Sequence, residues 1–360
     1  MQKLNIAIIF GGRSAEHEIS VISARNIIKA INKKRYNISL IGIDRNGRWL
    51  FCSEEELLSE KKLFLENKKS KNAMIIPYTK KEKFFLRLGK NNKLIDVVFP
   101  VLHGPFGEDG TIQGLLKLFN APFVGSGVSG SAICMDKDIS KRLLKEANIP
   151  VANFLVFKNH QKNNLSFNKI KNNFSLPFFI KPANLGSSVG ISKVKNKNEF
   201  NKAIKKAFSY DNKIIIEEFI KGKEIECSVL GNLNPIASIL GEIIPMHDFY
   251  SYEAKYLDEN GAKMAIPANI PKSVIKKIQK LAIKTFETLS SGGMGRVDFF
   301  LTAKNKIFVN EINTIPGFTS FSMYPKLLEH SGVSYSKLID RLIELAIERY
   351  NEENQFKIHR

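Results

Sequence analysis

Apolar positions recur along this chain with two periods, and each change of period marks an element. Residues 4–10, LNIAIIF, form an apolar run that stops at Gly11-Gly12, the pattern of a buried strand and a tight turn. In the following RSAEHEISVISARNIIKAI, residues Ile19, Ile22, Ile27, Ile28 and Ile31 make an approximate helical stripe, and Ser14 is placed to cap its start. Residues 36–43 read as a second strand and Asp44-Arg45-Asn46-Gly47 as a turn. Residues 53–93 are polar and lysine-rich and give the weakest pattern. Residues 94–102, LIDVVFPVL, read as one further buried strand, running into the glycine-rich loop His103–Gly110. A helix, GTIQGLLKLFN, and a strand and turn, PFVGSG, complete an α/β unit of parallel-sheet character that ends near residue 135.

Asp136 is a plausible cap for a new helix, DKDISKRLLKEAN, and VANFLVF follows as a strand. In PFFIKPANLGSSVGISKVK, two strands flank Gly186-Ser187-Ser188-Val189-Gly190. Glycines let the main chain approach an anion closely, so backbone amides here can cradle phosphate, with Lys181 reaching the same group. Many hairpin loops share this look, and GxxxxGK[ST] occurs nowhere in the chain. KIIIEEF at 213–219 is an apolar strand ending in carboxylates; it reads either as an ordinary strand end or as a hinge pairing with a base, with Glu224 on ribose hydroxyls. Residues 247–263 are polar and aromatic, as in a loop over a site; SVIKKIQKLAIKTFETL and SKLIDRLIELAIERY are amphipathic helices.

Between those two helices, RVDFF and KIFVNEIN read as strands joined by a turn at Thr302–Lys306. Alternation puts Arg296 and Asp298 on one face of the first and Glu311 and Asn313 on one face of the second. If the faces coincide, carboxylate and amide oxygens suited to a hard cation converge beside a guanidinium suited to phosphate or an oxyanion. Taken alone, the same residues read as a solvated surface hairpin. Pro316-Gly317 then turns the backbone so that N–H groups can approach an anion. Glu16, at the carboxyl end of the first strand, either binds an ammonium or only complements a helix dipole.

Composition narrows the classes. A chain of 360 residues with 43% hydrophobic and 25% charged residues is ordinary for a globular protein of two or three domains. Three scattered cysteines with no CxxC pair fit a reducing cytoplasm, and six histidines form no HxxxH pair. No apolar run reaches transmembrane length, and the N-terminal one is too short for a signal peptide. The net charge of +20 comes mostly from lysines spread through Asn- and Ile-rich segments, with no basic block interleaved with aromatics. That argues against nucleic acid as the partner and for an anionic substrate or lysine-rich drift.

Nine blocks, in order, carry a more specific signal: GGRSAEHEIS, HGPFGEDGTIQG, PFVGSGV, MDK, KPANLGSSVG, EEFIKGKE, YEAKY, GRVDFF and NEINTIPGFTSFSMYP. With them the chain resembles the D-alanine:D-alanine ligases of the ATP-grasp superfamily along essentially its whole length. The resemblance implies an α/β ATP-grasp fold of three domains, 1–135, 136–230 and 231–360, with ATP between the last two. It implies an ATP-dependent ligase that makes D-alanyl-D-alanine for peptidoglycan through an acyl phosphate, as a cytoplasmic homodimer. The alternative within the same fold is D-lactate or D-serine as second substrate. YEAKY and Met323 favour D-alanine.

Residue by residue, the resemblance assigns Asp298, Glu311 and Asn313 to two Mg²⁺ ions, for which Mn²⁺ can substitute. Lys137, Lys181, Gly186 and Ser188 fall to the ATP phosphates. Glu217, Glu218, Phe219 and Ile220 fall to the adenine end, and Glu224 to the ribose. Glu16 belongs to the first D-alanine site, with Ser187 linking it to the loop tyrosine, Tyr256, and His103 is a further substrate-binding residue. Arg296 and the Gly317 N–H stabilise the tetrahedral oxyanion. Ser322 and Met323 receive the second carboxylate, and Lys255 and Tyr256 belong to a lid that shuts out water. Glu218 and Phe219 depart from the lysine and tryptophan of some relatives.

Overall fold

The computed structural model describes residues 3–59, 72–80, 83–88, 91–246 and 262–357. Its N-terminal sheet is built from β1 (Leu4–Gly11), β2 (Tyr36–Ile43) and β3 (Trp49–Cys52), with helix α1 (His17–Ala30) between the first two. After the short helix α2 (Glu54–Leu58) come β4 (Ala73–Lys80), β5 (Lys83–Leu88) and β6 (Asn91–Ile95), a separate antiparallel sheet. β7 (Val97–Val101) then returns beside β1, giving the order β3-β2-β1-β7 with β1 parallel to both β2 and β7. The run 94–102 therefore divides at Asp96, whose carboxylate accepts from the Asn5 backbone N–H at 2.8 Å. PFVGSG contributes only an isolated bridge, Phe123 to Val98, rather than a strand. Ser14 does not cap α1: its hydroxyl accepts from Glu16 N at 3.0 Å, and the helix begins only at His17.

α3 (Thr111–Leu118) and α4 (Val128–Met135) lead to α5 (Lys137–Glu146). There Asp136 is the cap, accepting from Asp138 N and Ile139 N. A second sheet, ordered β10-β9-β11-β8, consists of β8 (Phe154–Lys158), β9 (Phe178–Pro182), β10 (Ser192–Val194) and β11 (Lys213–Glu218). α6 (Phe167–Asn173) and α7 (Lys197–Phe208) cover one face of it. The largest sheet is antiparallel, with β12 (Lys223–Gly231), β13 (Ile236–Pro245), β14 (Ala262–Ala265), β15 (Gly293–Leu301) and β16 (Ile307–Asn313) in the order β14-β13-β12-β15-β16. α8 (Lys272–Thr288) packs on it through Val274, Ile278, Ala282 and Phe286.

α9 (Met323–Glu329) and α10 (Tyr335–Glu353) close the chain. α10 does not stay with the sheet it follows. Leu338, Ile339, Leu342, Ile343, Leu345 and Ala346 join Ile6, Ile8, Phe10, Ile27 and Ile28 in one core under the N-terminal sheet. Arg349 of α10 also donates to the carbonyls of Phe123 (2.8 Å) and Gly125. No helix among the described residues is long and apolar enough to cross a membrane.

Candidate active site

The hairpin of β15 and β16 is antiparallel, with Arg296 opposite Asn313 and Asp298 opposite Glu311. Their neighbours Val297, Phe299 and Ile312 are buried in the core, so the four polar side chains share the other face. A bulge beside Asp298 takes up one extra residue on β16 and ends the strict pairing there. The Arg296 guanidinium donates twice to Asp298, from Nε to Oδ1 and from Nη2 to Oδ2, both at 2.7 Å. Asn313 donates to the same carboxylate at 3.2 Å. The coincidence of faces left open by the sequence is therefore what the structure shows.

A third strand adds a residue that the sequence reading passed over. Glu226 of β12 lies opposite Asp298, and its Oε2 is 3.0 Å from Arg296 Nε. Two carboxylates thus hold one guanidinium, which fixes its plane. The alternation of Glu224 and Glu226 along KEIEC was the available signal.

Across a small cavity of about 40 Å³ from Arg296, Glu311 and Asn313 stand Glu16, His103, Ser187 and Gly317. Ser187 donates to Glu16 Oε1. Ser187 and Ser188 both sit at positive φ, 51° and 59°, a conformation that L-residues rarely hold outside tight functional loops. Gly104, at φ 74°, passes so close that a Cβ would lie 2.7 Å from Glu16 Oε2. His103 is buried, with Nδ1 2.9 Å from the Ile315 carbonyl and Nε2 3.3 Å from Ser23 Oγ. Burial lowers its pKa to about 4, so the ring is neutral, with Nδ1–H donating to Ile315 and Nε2 accepting from Ser23.

Glu108, also missed from sequence, accepts from the N–H of Gly104 (2.7 Å) and of Ile315 (3.2 Å), tying the glycine-rich loop to the turn after β16. Burial and the nearby Glu16 carboxylate raise its pKa to about 8. Only its place within a glycine-rich GEDG run hinted at it. At the far end of the cavity, a Cβ on Gly317 would lie 2.6 Å from Ser322 Oγ. That oxygen accepts from Thr319 N at 2.9 Å, immediately before buried Met323.

A second cavity of about 20 Å³ shares Glu108, Glu311 and Asn313 with the first and adds Lys137 and Gly186. Lys137 Nζ donates to the Leu185 carbonyl (2.7 Å) and lies 3.2 Å from Glu311 Oε2, linking glycine loop to hairpin. Lys181 is buried against Glu217, which lies diagonally across the β9–β11 pair. Lys141 holds the other Glu217 oxygen at 2.5 Å. Burial alone would push Glu217 up; Lys141 and Lys181 outweigh it and keep the carboxyl below its usual range.

The remaining candidates lie further out. Glu218 is partly engaged, accepting from Asn153 N at 2.7 Å. Phe219 is 37% exposed, with Lys193 Nζ 4.6 Å from its ring centre and the Phe179 ring 5.9 Å away, and half-buried Ile220 follows it. Glu224 lies on β12, two residues before Glu226 and on the same face. Lys255 and Tyr256 lie outside the described residues. Asp298, Glu311 and Asn313 offer two carboxylates and an amide, and no group of three or more His, Cys, Asp or Glu suited to a metal occurs among the described residues. Such an oxygen set fits Mg²⁺, which completes its shell with water and phosphate, and does not fit a softer metal.

Residues 5–126 match the family described as D-ala D-ala ligase N-terminus, and residues 143–344 match D-ala D-ala ligase C-terminus. The chain is 50% identical to a D-alanine–D-alanine ligase of Oceanobacillus iheyensis, covering 99% of each, and 46% identical to D-alanine–D-alanine ligase A of Escherichia coli K12, again over 99% of each. Among solved structures it superposes on a D-alanine–D-alanine ligase from Coxiella burnetii with a TM-score of 0.88, at 40% identity, over 99% of this chain and 97% of that one. It also superposes on the VanG D-Ala:D-Ser ligase from Enterococcus faecalis with a TM-score of 0.85, at 39% identity, over 96% of this chain and 100% of that one. These neighbours share the ATP-grasp fold, as this chain does.

Proposed function

The chain belongs to the D-alanine–D-alanine ligase family, and we propose that it joins two D-alanines at the expense of ATP, in the cytoplasm, for peptidoglycan precursors. The observation that carries this reading is the meeting of Arg296, Glu311 and Asn313 with Glu16, Ser187 and Gly317 around one cavity. One side supplies positive charge and cation ligands, and the other a carboxylate for an ammonium.

In this reading Glu16, oriented by Ser187, takes the ammonium of the first D-alanine. Its carboxylate oxygen attacks the γ-phosphorus of ATP, the bond to the β–γ bridging oxygen breaks, and ADP leaves with the electron pair. Bringing two anions together requires cationic groups, which Lys137 and Lys181 supply at the phosphates. Asp298, Glu311 and Asn313 would hold Mg²⁺, which when bound offsets phosphate charge. The amine of the second D-alanine, placed by Ser322 and Met323, then attacks the acyl carbon. Arg296 and the Gly317 N–H stabilise the resulting oxyanion, and loss of phosphate closes the peptide bond. Neutral His103 lines the first-substrate site. Adenine lies by Glu217, Glu218, Phe219 and Ile220 and ribose by Glu224, with Gly186 and Ser188 at the phosphates. Lys255 and Tyr256 belong to the covering loop that keeps water from the acyl phosphate.

The three-domain division at residues 135 and 230 and a homodimer are part of the same proposal, supported by likeness to the family. D-serine or D-lactate as second substrate is not favoured, since the curated relatives at 46–50% identity are D-alanine–D-alanine ligases. The test is phosphate release from ATP and Mg²⁺ with D-alanine alone, L-alanine, or D-alanine plus D-serine or D-lactate, the products being weighed by mass spectrometry. D-Alanine-dependent release yielding D-alanyl-D-alanine supports the reading. A mixed product overturns the second-substrate assignment, and no D-alanine-dependent release overturns the reaction.

A further inference from the structure

α5 buries Leu144 at 2% but turns its other two apolar residues outward and two lysines inward. Ile139 and Leu143 are exposed, at 40% and 36%, while Lys137 and Lys141 are buried at 6% and 1%. Lysine is almost never fully buried without a partner. The two lysines are four residues apart and so lie on one face, a turn from each other. Lys137 reaches the glycine loop and Glu311. Lys141 ends in the interior, 2.5 Å from Glu217 Oε1, while Glu217 Oε2 is held by Lys181. The helix is fixed in this orientation at its start, where Lys213 pairs with Asp136 (2.5 Å) and Asp138 (3.4 Å).

Two ammonium groups on one carboxylate leave one net positive charge among side chains that are all buried. A Glu217–Lys181 pair alone would be neutral, and Glu217 would compete with any phosphate for Lys181. Adding Lys141 takes the cluster from neutral to net positive.

We propose that Lys141 is a positioning residue of the nucleotide site: by holding one oxygen of Glu217 it leaves Lys181 an effective cation for the phosphates of ATP. Lys141 need not touch the nucleotide to do this. The proposal rests on the reading of Lys181 as a phosphate ligand. The opposed forces are visible at Lys141 itself, where burial lowers the ammonium's proton affinity while Glu217, and more distantly Glu311, support it.

The test measures ATP and ADP binding to the full-length protein by calorimetry, adenosine as a competitive inhibitor of turnover, and KM for ATP separately from kcat, in Lys141→Met and Lys181→Met. Loss of one charge near an anion in a low-permittivity site is expected to weaken ATP and ADP by about tenfold or more in Lys141→Met. KM for ATP should rise to match, with kcat and adenosine inhibition changed by less than about threefold. Wild-type ATP affinity in folded Lys141→Met overturns the proposal. So does an equal loss of ATP and adenosine, which marks a role in packing or in holding Glu217 at the adenine rather than in the charge of Lys181. Should Lys141→Met fail to fold by circular dichroism, Lys141→Gln is read by the same criteria. If Lys181→Met binds ATP normally, the phosphate reading beneath the proposal falls and the proposal with it. If only Lys181→Met weakens ATP, the phosphate reading stands and the role of Lys141 falls alone.

Discussion

Replacing Gly104 by alanine tests the first-substrate site without substituting any side chain in it. Gly104 holds φ at 74°, where an L-residue costs about 1–2 kcal/mol. Its new Cβ would meet Glu16 Oε2 at 2.7 Å and Ser14 Oγ at 2.8 Å. Ordinary contact requires the carboxylate to retreat by about 0.7 Å or more. Glu16 is buried and tied to Ser187, so it cannot swing freely and must lose alignment with whatever it binds. A hydrogen bond to a charged group is worth about 1.5–3 kcal/mol, and losing roughly half of one raises KM by about four- to twelvefold. Steady-state kinetics should show that rise for D-alanine at its first site, with KM for ATP within about twofold of wild type. The backbone strain should also lower Tm by a few degrees. Gly12→Ala separates the two effects. Gly12 sits at φ 98°, yet a Cβ there meets only Leu102 Cδ2, at 3.4 Å. It should lose stability and keep its KM. An unchanged KM for D-alanine in Gly104→Ala, beside a lowered Tm, would refute the assignment of Glu16.

Three further outcomes are expected. Arg296→Ala should retain its fold and lose about 10²–10³ in kcat, measured by phosphate release, since it removes an oxyanion donor; normal turnover would exclude Arg296 from the chemistry. The folded pKa of His103 near 4 lies below the ordinary 6.5, so its contribution to stability is full above about pH 6.5 and is lost as the pH falls through 4. Relative to His103→Gln, the wild type should therefore lose on the order of 3 kcal/mol between pH 6.5 and 4 in denaturant melts, and a constant difference would contradict the buried neutral ring. Cys52, Cys134 and Cys227 are free and buried, with burial raising all three thiols and holding Cys134 and Cys227 near 12. A thiol reagent should find none in the native protein and three after unfolding; rapid native labelling would show one of them exposed.

The hairpin at 296–313 was legible because a strand's two-residue period is local. Once the strands are known, the shared face of Arg296, Asp298, Glu311 and Asn313 follows. Lys141 was not legible, because a lysine on a polar helix reads as solvated, and only packing against β11 turns that side inward. Glu226 and Glu108 were missed for a related reason. Their partners lie 70 and 207 residues away, at Arg296 and Ile315, and nothing local sets such separations. Ser14 failed as a cap because the chain first closes a turn, from Ser14 to His17, before helical pairing begins. The lid assigned to Lys255 and Tyr256 stays an expectation from the sequence.

The last long helix, Tyr335–Glu353, completes the core beneath the first strand, and its Arg349 grips the Phe123 and Gly125 carbonyls. During synthesis on the ribosome, the strand at residues 4–11 therefore waits for residues 335–353, more than 300 positions later, before its apolar underside is covered. A truncated or stalled chain exposes that surface, a mark by which quality-control proteases can distinguish unfinished enzyme from finished.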